Sequence, residues 1–466
     1  MNPSGVQEEL IRAPTAAELA KVHSWTQVSL QRLVDAIWQP ATFLAAVIWL
    51  YGGTFMDVAV VAMAAAMSYA LGSIVMPFAL ARVDDIRLVL LGAGSVRAAA
   101  SGIVALIGWR SERFSNDTMV TWIVIGMLFY QVSSAANVHR NPRSFIANQD
   151  QPTSARSRQV VGAVAGVIGG LVAWRALGNS ALSFQSSAGM LLFLGGFAGL
   201  GAVWFQVTAP VRYQDLHQRL PVPPWSDIER VLQHPEFRRY LGVRTLIGMA
   251  ALVDPFLIIF GMQRMQFGLW YVGAAVATVV LAQVIGGALW TFFGELTGSR
   301  KSIQMAALLR FAALTLAVAV PFMATSDWYA STFESRTFAN WCFVGVFFLL
   351  GLAQNTITRN EQHYAMQRLR DGKLFPAADM VLNIVVVVTS LSMLVGVLLI
   401  NATSMQTTVA IAAGVAFVAF VSTGFLASRR KRQARRRLVP DLRAEVHPVA
   451  NRAERTSKVK IKRIKK

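Results

Sequence analysis

The feature that most constrains this chain is the recurrence of apolar runs about as long as a bilayer is thick. Windows at 29–50, 55–80, 88–109, 118–138, 159–178, 187–208, 241–262, 267–293, 303–324, 338–358, 376–400 and 406–427 each carry a predominantly apolar stretch. A helix rising about 1.5 Å per residue crosses a hydrocarbon core of roughly 30 Å in about 20 residues. An outer-membrane strand needs only about 10 residues and alternates in polarity, which these windows do not. Backbone groups inside lipid must be paired within the segment, so windows of this kind are read as helices. Composition agrees: 55% of the 466 residues are apolar and 15% charged, against about 25% charged in an ordinary soluble domain. The expectation is an all-α polytopic membrane protein with twelve transmembrane helices. Cys342 is the single cysteine, which excludes a disulfide framework.

Charge sets the expected orientation. The chain has 44 Lys and Arg against 24 acids, a net charge of +20. With the N-terminus inside, 36 of the 44 basic residues fall in inner loops, termini and tail, and 5 on the opposite side. Arg32, Arg97 and Arg310 remain within windows. Retention of basic segments on the cytoplasmic side predicts both termini inside, in the inner (cytoplasmic) membrane. Trp49, Trp109, Trp122, Trp174, Trp270, Trp328 and Trp341 lie near predicted outer ends, as an interfacial aromatic belt requires. The first residues carry Glu8, Glu9 and Arg12 and no apolar run, so no cleavable signal peptide is expected there.

The longest internal polar segment, about 209–240, separates six windows from six. It contains Pro221, Pro223 and Pro224, then Ser226, a candidate cap for a short helix Asp227–Leu232. The expected organisation is a cytoplasmic segment 1–28, a six-helix bundle 29–208, a cytoplasmic loop 209–240, a second six-helix bundle 241–427 and a disordered polybasic tail 428–466. A weak repeat supports two pseudo-symmetric halves. A shift of 215 residues sets Gln39-Pro40 on Asp254-Pro255, Gly53 on Gly268, Ala59 on Ala274 and Gly72 on Gly287. After a two-residue gap, Arg87 meets Arg300 and Arg97 meets Arg310.

Short motifs carry a resemblance. Gly294-Glu295-Leu296-Thr297-Gly298-Ser299-Arg300-Lys301 follows the eighth window, and Ala79-Leu80-Ala81-Arg82-Val83-Asp84-Asp85-Ile86-Arg87 follows the second. His234-Pro235-Glu236-Phe237-Arg238-Arg239 precedes the seventh window, and Ser154-Ala155-Arg156-Ser157-Arg158 precedes the fifth. Together with the six-plus-six windows, these resemble the major facilitator superfamily over about residues 25–428. Its loop signature is kept after the eighth window in the opening Gly-x-Leu and the closing basic pair, two residues short. The resemblance implies secondary transport by rocking of two halves about a midplane site, with Arg87, Gly294, Arg300 and Lys301 in gating loops.

Polar residues at membrane depth are the candidate site. Asp254 lies ten residues beyond Arg244, about 15 Å into its helix. Its readings are a proton-accepting carboxylate, a cargo ligand, or a structural partner for an arginine. Arg97 and Arg310 lie equally deep; they either recognise an anion, form ion pairs, or snorkel to the inner face. If they line the cavity, the expected cargo is anionic. Arg32 and Asp35, one turn apart, read as a local interfacial pair. Gln39, Gln131, Gln283, Gln354, Asn355 and Asn383 serve either cargo contact or helix association. Gly162, Gly166 and Gly170 read as a packing face.

Other chemistries find no support. No phosphate-cradling Gly-x4-Gly-Lys-Ser/Thr loop occurs, so no ATP site is expected. All six histidines fall in predicted cytoplasmic segments without zinc-ligand spacing, and no Gly-x-Ser-x-Gly nucleophile appears. Neither a cofactor, a metal nor an enzymatic activity is expected. The tail opens with Arg429, Arg430, Lys431 and Arg432, continues with Arg435, Arg436 and Arg437, and nets +13. Such a run adsorbs to an anionic inner leaflet; no folded motif points to nucleic acid. The sequence expectation is therefore a secondary transporter of a small organic solute, with Asp254 the candidate for proton coupling. The competing expectation is a non-transporting envelope scaffold, a receptor or a lipid translocator. A polar central cavity would separate the two.

Overall fold

The structure, a computed structural model, describes residues 16–82, 86–134, 152–208, 222–333, 335–369 and 374–426. Every regular element among them is helical. The first passage is broken in the middle. α1 (Ala16–Ile37) ends ahead of Gln39-Pro40, a π-helical turn follows over Pro40–Leu44, and α2 (Ala45–Leu50) completes the passage. Pro40 has no amide hydrogen to donate, and the Gln39 carbonyl instead accepts from the Leu44 amide at 3.1 Å, five residues on.

Continuous helices come next: α3 (Phe55–Arg82), α4 (Ile86–Trp109), α5 (Asn116–Ser134), α6 (Pro152–Leu177) and α7 (Phe184–Thr208). A short α8 (Trp225–Gln233) precedes a second broken passage, made of α9 (Pro235–Met249), a 3-10 segment (Ala250–Phe256) and α10 (Leu257–Arg264). The chain then runs through α11 (Leu269–Thr297), α12 (Ser299–Ala324), α13 (Asp327–Thr332), α14 (Thr337–Leu369), α15 (Phe375–Ser390), α16 (Ser392–Ala402) and α17 (Met405–Thr423). Ser326 and Ser404 cap α13 and α17, accepting from the amides of Tyr329 and Thr407. Ser226 does not cap α8: the helix starts at Trp225 with Pro224 at its N-cap, so Ser226 already lies in the first turn. Asp227 there faces Arg230 at 3.6 Å. α9 starts at Pro235, ahead of the expected 241, because proline is pre-set for a first helical turn and lacks the amide that would go unpaired.

Ten stretches among the described residues are long and apolar enough to cross a membrane. The windows at 55–80 and 118–138 coincide with α3, which contributes the apolar stretch Phe55–Ser68, and α5. The long helices are apolar on every side, so one face packs inward and the other meets lipid. Phe197, Trp204, Phe322 and Phe425 are exposed, while Phe43, Phe256, Phe260 and Phe343 are fully buried. Trp109, Trp122, Trp270, Trp328 and Trp341, at the predicted outer ends, are exposed too.

Helices before residue 209 pack on one another: α1 on α6 and α7, α4 on α5 and α7, α3 on α5. Those after 234 do likewise: α12 on α14 and α17, α11 on α14, α9 on α15 and α17. Two seams join the groups, α6 against α11 and α3 against α15 and α16. Glycine makes the first seam possible. A Cβ on Gly273 would sit 2.7 Å from the Cα of Trp174, and one on Gly170 would sit 3.0 Å from the Cα of Ala277. In lipid, where helices gain nothing from leaving water, such close approach supplies the packing energy. Gly162 faces Val28 of α1, so the glycine row of α6 serves packing on two sides.

Aromatic rings pack between the same two helix groups. Trp174 meets Trp270 with ring centroids 5.0 Å apart and Trp341 at 6.4 Å, and Phe55 meets Phe256 at 5.8 Å. The basic cluster Arg429–Arg437 lies outside the described residues.

Candidate functional site

A cavity of about 290 Å³ opens beside the broken first and seventh passages. From the first passage it is lined by Asp35, Gln39 and Thr42, and from α5 by Tyr130 and Gln131. Asp254 of the 3-10 segment, Arg310 of α12 and Gln354 of α14 face it from the other helix group. Trp38, Phe347 and Met393 complete an apolar wall. Five residues expected from sequence thus converge: Gln39, Gln131, Asp254, Arg310 and Gln354.

The breaks put backbone and side chain at this depth. Pro255 interrupts the seventh passage immediately after Asp254, within a 3-10 segment rather than an α-helix. Asp254 and Arg310 form the central ion pair, the Arg310 Nη2 lying 2.5 Å from both carboxylate oxygens. The arginine side chain is 5% exposed and the aspartate 24%. Arg310 therefore does not snorkel; the guanidinium is enclosed and neutralised in place.

Arg97 occupies the matching place in the first group but does not line the cavity. It is 3% exposed. Its Nη2 donates to Gln31 Oε1 and, at 2.8 Å, to the Tyr130 hydroxyl, and its guanidinium sits 4.7 Å from the centroid of the Tyr130 ring. Gln31 donates in turn to Asp35 Oδ1 at 2.8 Å. The expectation of an interfacial Arg32–Asp35 pair is corrected here: Asp35 points into the cavity, accepts from Gln31, and has no ion pair with Arg32. Asp35, in the last turn of α1, and Gln39, just beyond its end, both reach the cavity. Spacing alone hides this role of Asp35, because the nearby Arg32 offers a simpler partner on the same helix.

Gln283 stands beside the cavity, donating to Gln354 Oε1 at 3.3 Å. Ser68 donates to Gln131 Oε1 at 3.5 Å. Asn383 is not part of the site: its amide donates to the Asp379 carbonyl at 2.8 Å and to Asp379 Oδ2 at 3.2 Å, along its own helix. Asn355 lies on α14, with its side chain outside the description. Sequence reading missed Thr42, whose buried hydroxyl has no partner among the described residues, and the Gln31–Tyr130 pair. Only their spacing from Gln39 and Gln131 could have signalled them.

In the loop after α11, Gly294 accepts from the Gly298 amide at 2.9 Å, and Gly298 turns the chain at φ +87° with one residue between helices. Glycine alone tolerates that backbone, which is why a shortened motif still closes the turn. Arg300 donates to the Gly424 carbonyl at 2.7 Å, at the end of α17, and Lys301 is exposed. The side chain of Arg87 lies outside the description. Among the described residues no group of three His, Cys, Asp or Glu is placed to hold a metal.

No family model and no curated protein sequence matches the chain. The fold does recur among solved structures. A mutant of the nucleoside transporter NupG superposes with a TM-score of 0.63 at 14% identity, over 88% of this chain and 100% of that one. A bacterial homologue of the iron transporter ferroportin, in an outward-facing state, gives 0.56 at 12% identity, over 88% and 100%. A bacterial metal transporter gives 0.57 at 14% identity, over 88% and 99%. The chain is thus an all-α polytopic membrane protein, and it shares the fold of these transporters.

Proposed function

We propose that this chain is a secondary active transporter of a small polar solute, of the major facilitator type, working by alternating access. The observation that carries the reading is the polar cavity lined by residues of both helix groups, beside the breaks of the first and seventh passages. A scaffold needs no such space, and an unfilled polar cavity costs packing. Broken helices at the midplane are the setting in which secondary transporters bind cargo.

In this reading α3 and α5 also span, giving twelve passages in bundles 29–208 and 241–427 joined by the loop 209–240. Both termini face the cytoplasm, and the membrane is the bacterial inner membrane. With the packed rings of Trp174, Trp270 and Trp341 read as a closure at the outer end, the cavity is entered from the cytoplasmic side. The paired positions of Pro40 and Pro255, and of Arg97 and Arg310, are what a duplicated half would leave. Asp254 is the proton-coupling candidate: a proton on it releases Arg310 and loosens the junction of the seventh and ninth passages. The loops bearing Arg87 and Gly294–Lys301 act as the inner gate, and the tail from Arg429 to Arg437 adsorbs to anionic lipid.

The test is flux in proteoliposomes, using solutes first selected by their stabilisation of the purified protein. Accumulation driven by a pH gradient in wild type, and its loss in Asp254→Asn with exchange retained, is the expected result. Unchanged pH-driven accumulation in Asp254→Asn removes coupling through that residue.

A further inference from the structure

We propose that the cargo of this cavity is an organic cation, an ammonium-type nitrogen on a polar body, and that Asp35 binds the charge. The proposal rests on the transport reading above and reverses the sign of cargo that the buried arginines would suggest.

The charged groups that line the cavity are Asp35, Asp254 and Arg310. Two of them cancel. Arg310 holds both oxygens of Asp254 and is 5% exposed, so no positive charge from it is presented to cargo. Arg97, the other deep arginine, is withdrawn behind the wall. Gln31 and the hydroxyl and ring of Tyr130 occupy it, and it is 3% exposed. What the cavity presents is the carboxylate of Asp35, which is exposed and bonded through Oδ1 to an amide. Its Oδ2 receives no hydrogen bond from the described residues, and no cationic side chain among them pairs with it.

The position is costly without a ligand. Asp35 lies within the membrane-length stretch His23–Leu50 and lines the same cavity as Asp254. Charges at such depth face a water-filled cavity or a partner. Gln31 is also fixed in orientation. Arg97 takes its carbonyl oxygen, which turns the amide hydrogens toward Asp35 and points the carboxylate at the cavity. Around it, Gln39, Thr42, Gln131 and Gln354 offer hydrogen bonds for the uncharged part of a cargo. A bare metal ion fits less well: hard divalent cations gather six or more oxygen ligands, several of them carboxylates. Here the second carboxylate is already held by Arg310.

The experiment measures the sign of the cavity field without knowing the cargo. Ala65 also lines the cavity; in full-length protein carrying Cys342→Ser and Ala65→Cys, the thiol placed there is modified with trimethylammonium-ethyl methanethiosulfonate and, separately, with the sulfonatoethyl reagent. The expected result is a cation-to-anion rate ratio above that of a free thiol in solution. Addition of Asp35→Asn should lower the ratio at least about fivefold, because one charge acts oppositely on the two reagents. A ratio at or below the free-thiol value, or one that Asp35→Asn leaves unchanged, overturns the proposal. The first comparison needs no change at Asp35, so a misfolded variant does not rescue the idea. If neither reagent modifies Ala65→Cys, the cavity is closed to solutes and the transport reading itself fails.

Discussion

Removing Asp254 should cost more stability than removing Arg310, although the two form one ion pair. Asp254→Asn leaves a guanidinium that is 5% exposed, with its Nε already lacking a partner among the described residues. Arginine cannot shed its charge by losing a proton. Breaking a buried pair in this way costs about 3–5 kcal/mol. Arg310→Met instead leaves Asp254, which is 24% exposed to the cavity. A carboxyl reached by water can be solvated or take up a proton, so the loss should be nearer about 2 kcal/mol. The double variant removes both members of the pair together, so no unpaired charge is left buried, and it should recover to within about 1 kcal/mol of wild type. The readout is thermal unfolding in detergent, followed by tryptophan fluorescence. With an unfolding entropy of about 2.1 cal/mol/K per residue over roughly 400 residues, 3–5 kcal/mol corresponds to about 4–6 °C. Membrane helices keep much of their secondary structure on unfolding, so real shifts should be at least this large. The expected order is Asp254→Asn lowest, Arg310→Met intermediate, and the double variant near wild type. If the two single losses simply add in the double variant, the sites are not coupled and the ion-pair reasoning is wrong.

Further consequences can be checked separately. Tyr130→Phe removes one of the two side-chain acceptors on Arg97 and should destabilise the protein by about 1–3 kcal/mol, read by the same melt. Gly273→Val would drive a side chain into the α6 backbone at Trp174; it should lower the melting temperature and open the α6–α11 seam, and an unchanged melt would show that the seam yields freely. Deleting residues 428–466 should leave the melt within error and cut binding to anionic vesicles in a salt-dependent way, since each basic residue near the surface contributes about 1 kcal/mol.

Much of the architecture was readable from residues alone because lipid imposes it. A window such as 303–324 has to be a helix wherever it sits, since hydrocarbon offers its amides no other partner, and α12 spans Ser299–Ala324. Pro255 marks a break for the equally local reason that it removes a backbone donor, and Pro40 does the same in the first passage. Asp254, Gln39, Gln131 and Gln354 were identifiable because polar groups at that depth need a reason to be there. Arg32 and Asp35 show where local reasoning stops. Spacing makes them neighbours on one helix, but a side chain chooses among every neighbour the fold supplies, and Gln31 and the cavity won. Asn383 looked like cargo chemistry and proved to be satisfied by Asp379 on its own helix.

The sequence by itself determined that the chain is a bundle of membrane-length helices and that Asp254, Gln39, Gln131 and Gln354 lie deep, because each of these follows from one segment in contact with lipid. Only the tertiary structure decided which charges cancel. Arg310 reaches Asp254 across a gap of 56 residues, and Arg97 reaches Gln31 across 66. Neither pairing is written in any single helix. The electrostatic sign of a cavity is a sum over groups from several helices, so it exists only once they are packed, and here that packing leaves Asp35 as the charge in view.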